Sequence, residues 1–174
     1  MIRGIHFVAA KVHVQKQGAT DVISFSQASA SGNGLFLLHL INTVSDRPLQ
    51  WLWEGFEAQP WTGDALPNGL YDGEDLQHFL QSNAHQSLET GWFLGAPKGS
   101  MPQSAAQPLT YADFLASPYE IALIFCDTYY FDVYVKDPTL AGKMLLALET
   151  INADLDALEY ITDLDDRRTG LRPF

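Results

Sequence analysis

Residues 119–137 read YEIALIFCDTYYFDVYVKD, and this stretch decides the fold. Its first half, Ile121 to Cys126, is apolar at both parities, the pattern of a central strand covered on both faces. In the second half Tyr129, Phe131, Val133 and Val135 alternate with Tyr130, Asp132, Tyr134 and Lys136, as in a strand with one buried and one amphipathic face. Asp127 and Thr128 fit a tight turn between the two. That turn would set Cys126 opposite Tyr129, Ile124 opposite Phe131 and Ala122 opposite Val133.

Downstream of this hairpin, Asp137 and Pro138 are the N-cap and first-turn pair of a helix over 138–152, with Leu140, Met144, Leu148 and Ile151 as its buried stripe. LEYIT at 158–162 reads as a last short strand. Upstream, Thr110 as N-cap, Asp113 in the first turn and Leu109 placed to staple onto Phe114 announce a helix that Pro118 closes. Thr90 to Gly95 is an expected strand, and Gly95 to Pro108 a long loop rich in Pro, Gly and Ser, of a length usually reserved for mobile or functional segments.

Further towards the N-terminus, Asp72 is placed to cap a helix over 73–82, with Leu76, Phe79 and Leu80 inward. Pro60, Gly63, Pro67 and Gly69 mark 55–71 as mainly loop. Leu49, Trp51 and Trp53 alternate as the aromatic inner face of a strand, and Leu37, Leu40, Ile41 and Val44 make the stripe of a helix over 34–45. From Ile5 to Val14 the apolar residues change parity near Ala9 and Ala10, which calls for a break or bulge. A hairpin through the Gly18 segment to a strand over Asp21 to Ser26 follows. Hairpins mixed with helices, without regular alternation, give an α+β fold: an antiparallel or mixed sheet with about four helices packed on it. The 174 residues fit a single domain, 1–174.

Against 21 acidic residues stand 10 basic ones, for a formal charge of −11, which repels nucleic acid and anionic membrane surfaces and favours a basic protein partner. The excess is concentrated: from Asp127 to Asp166 the only bases are Lys136 and Lys143. Most such acids simply solvate a surface. The single cysteine, Cys126, excludes an internal disulfide and a cysteine zinc cage, and its place at the end of an apolar strand reads as core rather than nucleophile. The apolar run after Arg3 is cut off by Lys11 before it reaches the length of a signal-peptide core, and LFLLHLI at 35–41 is too short to span a bilayer. A cytoplasmic protein that does not sit in a membrane is the expectation, with a homo-oligomer left open.

No nucleophile elbow, phosphate loop or dinucleotide fingerprint occurs. The five histidines show no metal-ligand spacing, and neither a metal nor a cofactor is expected. Three places remain. Tyr130, Asp132 and Tyr134 project from one strand face and could meet a partner, since tyrosine offers amphipathic area at low entropic cost; the competing reading is a face covered by a helix. Lys98 is the only base between Pro48 and Asp132 and sits in the long loop, where with Trp92 it could touch a ligand. In the terminal DLDDRRTGLRPF, Asp163, Asp165 and Asp166 could ligate a cation or face a basic partner, and Arg167 and Arg168 could grip a carboxylate or phosphate. Mutual pairing that docks the terminus explains the same residues.

The segments RGIHF at 3–7, YEIALIFCDTYYFDVYVKD at 119–137 and LEYITDLDDRRTGL at 158–171 resemble a bacterial family termed domain of unknown function 2691. GAPKG at 95–99 and YADFL at 111–115 are similar in order and spacing, while 8–30 departs as an elaborated hairpin. The resemblance implies a small α+β bacterial protein, found mainly in Gram-positive organisms. It places Tyr160 to Thr169 among the resembling positions and implies no reaction, cofactor or catalytic residue. The residues thus favour a non-catalytic acidic interaction module, inhibitor or immunity-like, with a basic partner. The alternative is a small metabolite-binding protein or enzyme whose site lies at the 95–108 loop, between Trp92, Lys98 and the terminal aspartates.

Overall fold

The computed structural model describes residues 2–8, 12–17, 20–25, 34–55, 66–84, 88, 90–101, 108, 111–126, 130–150 and 154–162. Nine strands and four helices follow one another among them. Strand β1 spans Ile2–Val8, β2 Val12–Gln17, β3 Thr20–Phe25, β4 Leu49–Gly55, β5 Gly69–Asp72, β6 Gly91–Pro97, β7 Ile121–Cys126, β8 Tyr130–Val135 and β9 Asp154–Thr162. Helix α1 spans Gly34–Asn42, α2 Gly73–Ser82, α3 Tyr111–Ala116 and α4 Pro138–Thr150. Seven strands form one sheet in the order β5-β4-β6-β7-β8-β1-β9, with β2 and β3 paired apart from it. Every described pairing is antiparallel, so the fold is α+β with an antiparallel sheet.

β7 is the middle strand, and Ile121 to Phe125 are all buried, as an apolar run without parity requires. The hairpin to β8 forms in a register one residue away from the expected one. Cys126 pairs with Tyr130, Leu123 with Val133 and Ala122 with Tyr134. The reason is that directly opposed residues project to the same side of a sheet. The observed register puts Leu123 on the same face as Val133, and sets small Ala122 against the large Tyr134. The turn residues 127–129 and the expected break at Ala9 and Ala10 lie outside the described residues. On either side of that break the chain enters different sheets.

Two cores sit on the two faces of the sheet. On one, α1, α2 and α4 bring Leu37, Leu40, Leu76, Leu80 and Met144 down onto Trp51, Trp53, Phe93 and Leu123. There Trp53 stacks on Phe93 at 4.5 Å between ring centres, a contact worth about 0.5–1.5 kcal/mol beyond its area. Glycines in β6 make room for the tryptophans of β4: a Cβ on Gly95 would stand 2.6 Å from Ile121 Cγ2 and 3.1 Å from the Trp51 ring. On the other face Phe114 of α3 and Tyr119 cover Trp92, Leu94, Ile124 and Tyr134.

Several elements differ in extent from their sequence signals. α1 ends at Asn42, and residues 43–46 continue as turns whose N–H groups bond carbonyls three residues back, Val44 to Ile41 and Ser45 to Asn42, each at 3.2 Å. β5 emerges within the segment read as loop, and β9 begins at Asp154 rather than 158 because it pairs along β1. The expected cap Thr110 and staple Leu109 lie outside the described residues.

Candidate functional site

α1 ends and the chain must reverse into β4, which Pro48 enforces by barring further helix. The turn is tied to the loop after β6 by the Lys98 N–H, which donates to Pro48 O at 2.9 Å. The hairpin partner strand β5 delivers Asp72 directly in front of α2. Between the turn, the start of α2 and Lys98 lies a cleft of about 440 Å³. That is within the usual range for ligand sites. Its apolar wall is Ile41, Val44, Leu49 and Trp51.

The charged lining comprises Asp46, Asp72, Glu74 and Asp75 against Arg47 and Lys98, four carboxylates to two cations and a formal −2. Both cations are already engaged. Lys98 Nζ donates to Asp72 Oδ2 at 3.0 Å, and the Asp72 Oδ1 atom accepts from Gln50 Nε2 at 3.3 Å. The ammonium, then the amide, hold Asp72 below its ordinary carboxyl value. Gly99 turns with φ +84°, a left-handed conformation suited to glycine, and its N–H reaches Gln50 Oε1 at 3.2 Å. Asp72, expected to cap α2, therefore makes no capping hydrogen bond.

Arg47 is held by acids from other elements. Its guanidinium donates to Glu120 Oε2 at 3.3 Å and to Asp137 Oδ2 at 2.5 Å, joining the α1–β4 turn to the entry of β7 and the start of α4. Asp137 also accepts from the Thr139 N–H at 2.9 Å. That backbone bond first, and Arg47 next, lower its pKa to about 2. The bond to Arg47 acts on its partner as well, since the Arg47 pKa is raised chiefly by Asp137. Lys143 Nζ lies 3.2 Å from Asp46 Oδ2 at the outer edge. Glu74 and Asp75 are exposed and, among the described residues, form no ion pair.

Of the residues singled out from sequence, Lys98 lines this cleft. Trp92 does not: it is 1% exposed and lies in the core on the opposite face, and the indole in the cleft is Trp51. Tyr134 is likewise 1% exposed against Phe114, at 6.4 Å between ring centres, so the covered-face reading holds at that residue. Lys136 of the same strand end is drawn inward, donating to Ser117 O and sitting 5.5 Å over the Phe114 ring. Tyr130 and Asp132 pair with Val8 and His6 of β1, and their side chains lie outside the described set. So do Asp163, Asp165, Asp166, Arg167 and Arg168, and with them any aspartate of the terminus as a wall of the cleft. The sequence reading missed Asp46, Arg47, Glu74 and Asp75. Glu74 and Asp75 stand in the first turn of α2, where acids have the ordinary meaning of a favourable helix dipole, and Asp46 and Arg47, in the turn after α1, carry no local signal. Among the described residues no group of His, Cys, Asp or Glu is placed to hold a metal ion, and no helix is long and apolar enough to cross a membrane.

This α+β architecture and its acidic cleft define a small domain without an assembled catalytic constellation among the described residues. A family model described as "Protein of unknown function (DUF2691)" matches residues 22–172, and the chain belongs to that family. The match begins after β1, so the RGIHF segment falls outside it. Among curated proteins, the uncharacterized protein YncE of Bacillus subtilis (strain 168) is similar, 24% identical over 155 residues that cover 86% of this chain and 96% of YncE. No solved structure matches.

Proposed function

We propose that the chain is a non-catalytic cytoplasmic module that binds a basic protein partner through its acidic surface, as an inhibitor or immunity protein does. The observation that carries this reading is the charge arrangement of the cleft: Glu74 and Asp75 keep free carboxylates while Arg47 and Lys98 are spoken for by other acids. A site with spare anions and committed cations favours a cationic visitor. The net charge of −11 adds long-range steering of the same sign, and Asp163, Asp165 and Asp166 extend it along the sequence.

The test is binding of a blocked peptide of alternating lysine and glycine to the full chain over a range of salt concentrations. The reading expects affinity to fall steeply with salt, and to fall further when Glu74 and Asp75 are replaced by Gln and Asn. Binding that ignores both salt and these substitutions would contradict it. A second reading, a small-metabolite site at the same cleft, is favoured by the concavity beside Lys98. A thermal-shift screen of uncharged and anionic metabolites separates the two, because only the metabolite reading expects stabilising compounds without positive charge.

A further inference from the structure

Trp51 is 1% exposed, yet among the described residues its indole N–H donates to no acceptor. The contrast with Trp53 is direct, since Trp53 Nε1 donates to Leu66 O at 2.9 Å. Trp51 Nε1 is not sealed from solvent: the small surface the residue keeps includes this donor, which is open to an acceptor arriving from outside. Trp51 lines the cleft, and its Nε1 stands 3.9 Å from where a Cβ on Gly73 would be. Gly73 thus keeps open the space beside this nitrogen. Beside it, the first N–H groups of α2 lack a side-chain cap, because Asp72 is diverted to Lys98 and Gln50. The inner part of the cleft therefore presents donors, its wall is aliphatic, and its rim presents the carboxylates of Glu74 and Asp75.

We infer that the cleft anchors one arginine or lysine residue of an extended partner segment. The segment's main-chain carbonyl accepts from Trp51 Nε1–H, the side-chain stem lies along Ile41, Val44 and Leu49, and its cation reaches Glu74 and Asp75. This rests on the reading of a basic protein partner and names the point of attachment. A basic residue matches all three zones at once: an acceptor for the donors, methylenes for the wall and a positive charge for the rim. An acidic residue would meet Glu74 and Asp75 with like charge, and a purely apolar one would leave the inner donors and outer acids unanswered.

The test follows the indole resonances of the full chain by nitrogen–proton correlation NMR, with the Trp51 peak assigned through bonds. The titrants are blocked tripeptides of glycine centred on arginine, lysine, glutamine or glutamate. A saturable shift of the Trp51 peak is expected with the arginine and lysine peptides, about tenfold weaker affinity with glutamine and no shift with glutamate. Glu74→Gln combined with Asp75→Asn should remove the preference for the basic peptides over glutamine. Gly73→Ala, whose added methyl meets Leu49 O at an ordinary 3.4 Å, should fold normally and weaken binding about tenfold. A Trp51 peak unmoved by the basic peptides, or moved equally by glutamine, overturns the inference. If the lysine–glycine peptide still binds with a steep salt dependence while the Trp51 peak stays still, the acidic-module reading stands and this anchor falls. If that longer peptide does not bind at all, the broader reading fails by itself.

Discussion

Asp72 and Asp137 occupy the same position in their elements, one residue ahead of a helix, but their carboxylates are used differently. Asp137 turns inward on α4, accepting from the Thr139 N–H and hydroxyl, and holds Arg47 on its other oxygen. Asp72 turns outward to Gln50 and Lys98 and leaves the first turn of α2 without a side-chain cap. One helix start is closed and ties three elements together. The other is open and forms a side of the cleft. The same residue type at the same place thus has a structural role where a guanidinium and a capped N–H converge on it, and helps open a site where a neighbouring loop draws it away.

Trp51 lines the cleft beside the open start, and its ring is packed closely against Gly95 of β6. The largest expected effect comes from crowding that contact. Gly95→Ala would force a methyl to within 2.6 Å of Ile121 Cγ2, and overpacking of this kind costs about 1–3 kcal/mol. Thermal unfolding should show the loss directly, and an unchanged Tm would mean that the β6 glycines are not what seats the β4 tryptophans.

Breaking the closed helix start should come next. Asp137→Ala removes a cap and one of the two partners of Arg47, and Tm at neutral pH should fall by roughly 2–4 °C. The pH dependence has a definite sign. The pKa of Asp137 is lowered to about 2 in the folded chain, so its contribution is complete above the ordinary carboxyl range and is lost as pH falls through about 2. The gap between the Asp137→Ala protein and the parent should therefore be full at pH 7 and close below pH 2. A gap that widened on acidification would refute the assignment.

At the open start the effects should be small and of the other sign. Gly73→Ala should leave stability unchanged or raise it by up to about 1 kcal/mol, since alanine is the better helix former and its Cβ meets only ordinary contacts. Asp72→Asn should move Tm by no more than about 1 °C, because the pair it breaks is exposed and no cap is lost. A large destabilisation by Asp72→Asn would make the two helix starts equivalent and remove the contrast.

The main elements were legible in the residues for local reasons. α2 and α4 announce themselves by an aspartate before an apolar stripe, and β7 by an apolar run without parity. The register of the β7–β8 hairpin was not legible, since alternation tells which residues share a face but not how many residues the turn takes. β5 was hidden because its four residues follow a run dense in Pro and Gly and are held in place by pairing with β4. Asp72 was read correctly as standing at an N-cap, but nothing local reveals that Lys98, 26 residues away, claims its carboxylate. Lys98 stood out as a solitary base, whereas the cleft around it is assembled from three separated segments whose acids have ordinary local meanings. Tyr134 shows the limit of alternation: a strand with polar tips reads as half exposed, and α3 covers it.

Calorimetric titration of the parent and Gly73→Ala proteins with the arginine-centred tripeptide tests the central claim most directly, because the substitution narrows the space beside the Trp51 indole and leaves every carboxylate of the cleft in place. The account predicts that Gly73→Ala binds about tenfold more weakly while its Tm is equal to or above that of the parent. Equal affinity in the two proteins would contradict it.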